Sequence, residues 1–384
     1  FSFGYFTATT MHFSITLIAT GLAAASAKHA LTEVSADYTF AQFLQDFKIN
    51  NSWDESELST RRALFNAEVE KVKAHNAGHS SYKIGLNRFS VMTTAEKRAF
   101  LGHNKAVRQA HTDPKHELPS GLVMKPVQEL PASVDWRDTP NVVSSVKDQG
   151  HCGSCWAFSA TETLESHVAL ATGLLYDLSP QQIAMCSPNP DSCGGTGGCM
   201  GATTELGFEY VADTGVVEEY QIGYAAYQGA DSACAFQRRK TPPVATIQGY
   251  TKLAENNYEA LMNAVAQAGP VAIVVDASEW HSYAGGIFNG CNQENPDLNH
   301  GVVLVGYGEE EGQKYWLVRN SWSPSYGELG YIRVARSDAD DELCGLDVTP
   351  LDGTACAGDT TPVKVCGTCG VLYDSSYPIG AALR

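Results

Sequence analysis

The ten residues Gln149-Gly150-His151-Cys152-Gly153-Ser154-Cys155-Trp156-Ala157-Phe158 constrain the fold more than any other stretch of this chain. Just before them, Lys147 and Asp148 are polar, and Gly150 breaks any apolar period, so the segment reads as a turn. From Trp156 onward, Phe158, Leu164, Val168 and Ala171 recur at helical intervals up to Gly173, a residue able to end the helix. Cys155 therefore stands at a predicted helix N-terminus. Free backbone N–H groups and the positive end of the helix dipole there favour a thiolate over a thiol. Such a thiolate is a nucleophile that lacks only a base.

Other readings of the same residues exist. Cys152-Gly153-Ser154-Cys155 has CxxC spacing, which serves a disulfide, a redox pair or half a metal site. Features elsewhere select among them. Gln149 lies six positions before Cys155, Trp156 follows it, and Asn299-His300-Gly301 and Arg319-Asn320-Ser321-Trp322 lie far downstream. C-G-[SA]-C-[WY] with a His and an Asn about 130–150 residues on is a nucleophile signature. Here His300 is 145 positions after Cys155, and Asn320 is 165 after it. On these blocks the chain resembles the papain-like cysteine proteases, nearest the cathepsin L group, from about Asp46 to Pro378.

The resemblance implies roles. Cys155 is the expected nucleophile, His300 its acid–base partner, Asn320 the residue orienting that imidazole, and Gln149 an oxyanion donor. Gly153, Gly201, Ala202, Gly301 and Trp322 are the expected substrate-binding residues. Trp322 resembles the tryptophan that shields the His–Asn contact from water. Ala202 stands where the family has the second Gly of a pair, and Ser323 and Tyr326-Gly327 replace the family's Gly and second Trp-Gly. An isolated histidine is usually structural, and the ten others lack such neighbours. The resemblance implies no metal or cofactor. The alternative is a catalytically inactive papain-fold protein acting as a binder or inhibitor. The resemblance implies an endopeptidase that hydrolyses peptide bonds through an acyl-enzyme; an exopeptidase would need a loop or pro-fragment blocking part of the cleft, and no loop is evident for that in the sequence.

A formal net charge of −17 argues against a nucleic-acid partner, which would want a basic face. It suits an acidic compartment, where part of that charge is neutralised. Hydrophobic residues at 43% and charged residues at 18% describe a globular chain large enough for a full core. Eleven cysteines leave one thiol after five bridges, which points to an oxidising compartment. Met11 opens an apolar run ending in Ala25-Ser26-Ala27, an A-x-A pattern, so residues 11–27 read as a signal peptide and 1–10 as upstream sequence. That run is too short for a comfortable membrane span. The expected location is the secretory pathway, then a lysosome-like organelle or the exterior.

Residues 28–129 form the next segment. Phe40, Phe43, Leu44 and Phe47 share one helical face, and Leu58 to Lys73 predicts a longer amphipathic helix. Glu57, Arg61, Phe65, Val72 and Asn76 resemble the interrupted helical motif of cathepsin L-type propeptides, with Glu68 in place of Asn and Val72 of Ile. Gly85-Leu86-Asn87-Arg88-Phe89-Ser90 resembles the second propeptide motif, with Ser90 in place of Asp. The resemblance implies an inhibitory segment lying along the cleft, ending in a linker over residues 103–128. Leu130-Pro131 then resembles the start of a mature enzyme. Residues 130–240 predict mainly helices and 241–384 mainly short strands. The expected fold is α+β, a two-lobed papain-like enzyme with a helical lobe and a β-barrel-like lobe, preceded by the helical propeptide.

The resemblance also pairs Cys152 with Cys199, Cys186 with Cys234, and Cys291 with Cys344. Cys193, Cys356, Cys366 and Cys369 remain, enough for two bridges of open connectivity, unless Cys366 and Cys369 are half of a zinc site. Cys193 lies in an insert, Ser187 to Gly198, longer than the family norm. Two family-like endings follow, Cys344 to Thr349 and Cys369 to Asp374. Spacing from Gly330-Tyr331-Ile332-Arg333 favours the first, which places Thr349 at the floor of the S2 pocket and implies apolar P2 residues; the second would place Asp374 there and admit basic ones. Expected partners are peptide and protein substrates, the chain's own propeptide and cystatin-like inhibitors, with the enzyme a monomer.

Overall fold

The computed structural model describes residues 30–50, 52–102 and 115–384. The expected leader at 11–27 and the segment 1–10 lie outside the described residues. Among the described residues, no helix is long and apolar enough to cross a membrane.

The first elements are α1 (Phe40–Asp46), α2 (Glu55–Asn76), β1 (Tyr82–Ile84) and α3 (Thr94–Arg98). Asp54 caps α2 by accepting from the Glu57 N–H, with Glu55 and Glu57 in the first turn and Lys73 and His75 in the last, as the helix dipole favours. Phe43, Phe65, Val72 and Leu86 form a small core of their own. Arg61, buried beneath it, donates to Glu57 at 2.8 Å, to Glu96 at 2.5 Å and to the Val91 carbonyl at 2.8 Å. The helix motif thus fixes α3 against α2. Ser90 is buried and accepts from the Asn87 N–H at 2.9 Å. A hydroxyl here completes a capping box without burying a charge.

Next come β2 (Val134–Asp135), α4 (Cys155–Thr172), α5 (Pro180–Cys186) and α6 (Thr204–Thr214). Gly173, at φ 77°, ends α4 in the left-handed conformation that glycine adopts at least cost. The remaining elements are β3 (Ala245–Thr246), β4 (Gly249–Lys252), α7 (Tyr258–Gln267), β5 (Val271–Val275), β6 (Tyr283–Phe288), β7 (His300–Glu310), β8 (Gln313–Arg319), β9 (Tyr331–Ala335), β10 (Cys344–Asp347), β11 (Val363–Cys366), β12 (Ser375–Ile379) and β13 (Ala382–Leu383).

The main sheet runs β1-β6-β9-β8-β7-β5-β12-β4, with β2 paired to β7. Its pairs are antiparallel except β6 with β9. The chain halves do not map wholly onto the lobes. Val134 pairs with Tyr307 in the β lobe. Conversely, Ala245, Ile247 and Tyr250 join Leu164, Phe208 and Val211 in the helical core, and β13 pairs with β3 beside them. Each chain end therefore crosses to the other lobe, which a helix-then-strand reading does not reveal.

Ten cysteines form five disulfides, leaving Cys155 free among the described residues. Cys152 bonds Cys199 and Cys186 bonds Cys234. The expected Cys291–Cys344 pair is replaced: Cys291 bonds Cys369, and Cys344 bonds Cys366. The reason is the doubled ending. β10 and β11 form a separate hairpin with Cys344 opposite Cys366, whereas the second copy leads into β12 of the main sheet beside Cys291. Cys366 and Cys369 are thereby both engaged, so neither is available to zinc. The last bridge joins Cys193 to Cys356.

Candidate active site

Three elements bring the site together around Cys155. It is the first residue of α4, which packs on β7, where the Ser159 hydroxyl donates to the Val302 carbonyl at 2.9 Å. His300 opens β7, and Asn320 follows the last residue of β8. Because β7 and β8 are antiparallel neighbours, these two side chains fall at the same end of the sheet. The His300 Nε2 and Asn320 Oδ1 are 2.8 Å apart. The other ring nitrogen, Nδ1, is buried without a hydrogen-bond partner. His300 and Cys155 line one small cavity with Ala202, Val274, Asn299 and Gly301. Gly301 matters because a Cβ there would meet the Trp156 backbone at 3.3 Å, and this absence lets the helix end approach the sheet.

Gln149 is held by pairing between the two lobes. Its N–H donates to the Ser321 carbonyl at 2.9 Å, and Asp148 bridges to Trp322. The Ser321 hydroxyl donates to Gln149 Oε1 at 2.6 Å, so Nε2 faces the cleft and donates to the Cys152 and Phe100 carbonyls at 2.8 and 3.1 Å. Trp322 is fully buried, its ring centroid 4.8 Å from that of His300.

The segment before residue 130 fills this site. Phe100 presents its carbonyl to Gln149, and a Cβ on Gly102 would lie 2.9 Å from the Cys155 Sγ. Only glycine lets the backbone pass so close to sulfur. Arg88 anchors the segment, pairing with Asp148 at 2.7 and 2.9 Å and donating to the Trp322 carbonyl at 3.1 Å. The Ser282 hydroxyl donates to the buried Glu68 carboxylate, which stands at the motif's Asn position.

Covering the site changes its charge. Burial pushes the Cys155 thiol up, partly opposed by backbone N–H groups of Gly301, Gly102, Trp156 and Cys155 itself. Burial pulls His300 down to about 4 against the Asn320 hydrogen bond. The thiolate expected from the helix end alone is thus disfavoured in the covered state, because desolvation outweighs the dipole. Both shifts favour the neutral thiol and the neutral imidazole while the site is covered.

Of the expected substrate-binding residues, Ala202 and Gly301 line the cavity, and Gly153 and Gly201 touch Gly102. Thr349 does not join them. It is exposed, and its hydroxyl donates to Asp347 and Asp297 at 3.3 Å each, because the hairpin of β10 and β11 carries it away from β12. Asp374, from the second ending, is buried and its Oδ1 lies 3.0 Å from Lys252 Nζ. Beside them Glu205 is pushed up by burial and by Asp374, and it accepts from Ser376 at 2.7 Å. Phe100 and Gly102 have no signature in the sequence that marks them as part of the site, and Ser321 stood in the Arg319-Asn320-Ser321-Trp322 block without a role of its own.

Residues 130–353 match the papain family cysteine protease domain, and residues 40–96 match the cathepsin propeptide inhibitor domain. Cathepsin L of Sarcophaga peregrina is 37% identical over 304 residues, spanning 77% of this chain and 86% of that protein. A senescence-specific cysteine protease of Oryza sativa subsp. japonica is 37% identical over 310 residues, spanning 79% and 86%. The solved structure of digestive procathepsin L 3 from Tenebrio molitor larval midgut matches with a TM-score of 0.69 at 35% identity, over 88% of this chain and 97% of that one. This α+β chain belongs to the papain family of cysteine proteases and carries, ahead of the protease domain, a cathepsin-type inhibitory propeptide.

Proposed function

We propose that Cys155, His300, Asn320 and Gln149 are the working residues of this protease, and that residues 28–129 leave on activation near Leu130. The observation that carries the reading is the contact of His300 Nε2 with Asn320, which leaves Nδ1 unpartnered on a ring that lines the cavity shared with the free cysteine. Once the propeptide leaves, water returns to the site. The proton can then pass from Cys155 to His300, and the pair becomes thiolate and imidazolium. The thiolate attacks the scissile carbonyl, and Gln149 Nε2 with the Cys155 N–H takes the oxyanion where Phe100 sat. His300 protonates the leaving amine as the C–N bond breaks, giving a thioester and the first product. It then takes a proton from water, which attacks the thioester and restores Cys155. Asn320 holds the ring through the whole cycle.

Val274 and Ala202 line the apolar side of the cavity at P2, and the Asp374 carboxylate, whose backbone carbonyl accepts from the Val274 N–H, is paired with Lys252. Apolar P2 side chains are therefore favoured over basic ones. The five disulfides and the cathepsin relatives support passage through the secretory pathway to an acidic organelle or the exterior. The test is acidification of purified precursor with a thiol reductant, assayed on peptides with Leu, Phe or Arg at P2. Activity should rise as a segment ending near Glu129 is lost, and Cys155→Ala should stay inactive. Processed, folded wild type without activity sinks the assignment of these residues.

A further inference from the structure

Two loops outside the chemistry meet over the cleft. One follows α5 on the first lobe and contains Cys193; the other joins β10 to β11 on the second and contains Cys356. The Gly194 N–H donates to the Ala355 carbonyl at 2.9 Å, the Ala357 N–H donates to the Asp191 carbonyl at 3.0 Å, and the disulfide locks the pair. Each loop rests on one wall of the cleft. A Cβ on Gly194 would lie 2.7 Å from the Ala202 carbonyl carbon, and one on Gly353 would lie 1.7 Å from the Leu298 carbonyl oxygen, two residues before His300. Gly353 also lines the cavity that holds Cys155, Ala202 and His300.

The propeptide passes from Phe100 at Gln149 to Gly102 against Gly153 and Gly201. A substrate with its scissile carbonyl at Gln149 and its P2 side chain at Ala202 and Val274, as proposed above, runs in the opposite chain direction and lays its acyl-side residues along Gly201 and Ala202, toward the loops. The edge there is already occupied, since the Gly201 carbonyl accepts from the Gly197 N–H at 2.7 Å. Ala202, proposed above to face P2, is the residue whose carbonyl Gly194 abuts, so the roof begins beside the second residue before the scissile bond.

We propose that the two loops and the Cys193–Cys356 bond form a strap over the acyl side of the cleft, ending the straight substrate site about two residues before the scissile bond. The inference rests on the protease reading and sharpens it. Substrates with two residues before that bond lie flat. Longer chains must bend away after P2, so cleavage concentrates near chain N-termini.

The test uses activated enzyme and a nested peptide series with two, three or four residues before one reporter bond. Wild type should lose at least tenfold in kcat/KM on going from two residues to three. Two variants loosen the strap: Cys193→Ser with Cys356→Ser, and Ala357→Pro, which removes the N–H that donates to the Asp191 carbonyl. Either should shrink that loss at least threefold while still cleaving the two-residue peptide. Wild type that cleaves longer peptides as well or better overturns the proposal, as does a length penalty unchanged in both variants. Failure of the protease reading looks different, because no peptide of any length is then cleaved.

Discussion

Loss of proton uptake at His281 should move activation of the precursor to lower pH. His281 belongs to the protease domain but is buried beneath the propeptide. Its Nε2 lies 3.2 Å from the Lys97 carbonyl, its ring centroid is 5.0 Å from that of Phe89, and it stacks on Trp322 at 4.8 Å. Burial first, then the charges of Lys97 and His300, pull it down to about 3, against hydrogen bonds to the Ser278 and Lys97 carbonyls. The covered state thus binds fewer protons than an uncovered one. Its advantage is whole above the ordinary value of about 6.5 and is lost as pH falls from there toward 3. If uncovering restores the ordinary value, going from pH 7 to pH 5 favours the open state by about 25-fold, about 2 kcal/mol. His281→Gln keeps a polar ring-sized amide that cannot take up this proton. The assay is the initial rate of activation of purified precursor from pH 7 to pH 4, with the activated enzymes compared separately at each pH. The variant's activation midpoint should fall, with a loss of about tenfold or more in rate at pH 5. Superimposable activation profiles would refute the argument.

Three further outcomes follow from the site and the disulfides. Gln149→Ala should lower kcat by about 10²–10³-fold with a much smaller change in KM, if its amide serves the oxyanion as proposed. Non-reducing peptide mapping should recover Cys291 joined to Cys369 and Cys344 joined to Cys366, and a Cys291–Cys344 peptide would overturn the hairpin placement. Arg319 and Glu162, both buried, pair at 3.1 Å between β8 and α4. Arg319→Ala should cost about 3–5 kcal/mol in denaturant unfolding, because Glu162 is left without its countercharge.

The candidate site's convergence was legible because the residues that form it are marked locally in sequence. The Cys155 turn and helix, His300 before a strand and Asn320 after one are each spelled by neighbours, and the antiparallel pairing of β7 and β8 does the rest. The endings were not. Cys344-Gly345-Leu346-Asp347 and Cys369-Gly370-Val371-Leu372 read almost alike, and strand pairing beside Cys291 chooses between them, a long-range event with no local mark. The strap was half visible: an insert with Cys193 and a spare Cys356 stood in the sequence. That they meet over the cleft depends on where two lobes dock. The covered thiol was invisible for a similar reason, since its desolvation comes from Gly102, more than fifty residues upstream.

Activation also strips a strand from the sheet. β1 of the propeptide pairs with β6, Tyr82 opposite Gly286 and Lys83 opposite Gly285, and the Ser81 carbonyl accepts from the Ile287 N–H. When the propeptide goes, the outer rim of β6 is left with open donors and acceptors, a template on which another chain could add itself. The rim is poorly shaped for that. Gly286 sits at φ +89°, the register slips between Lys83 and Ile84, and the Gly286 N–H is already held by Glu328 at 2.9 Å. The same kink that seats the inhibitor leaves the mature enzyme a short, broken border in place of a flat one, and a released propeptide finds there a partner that few other strands can match.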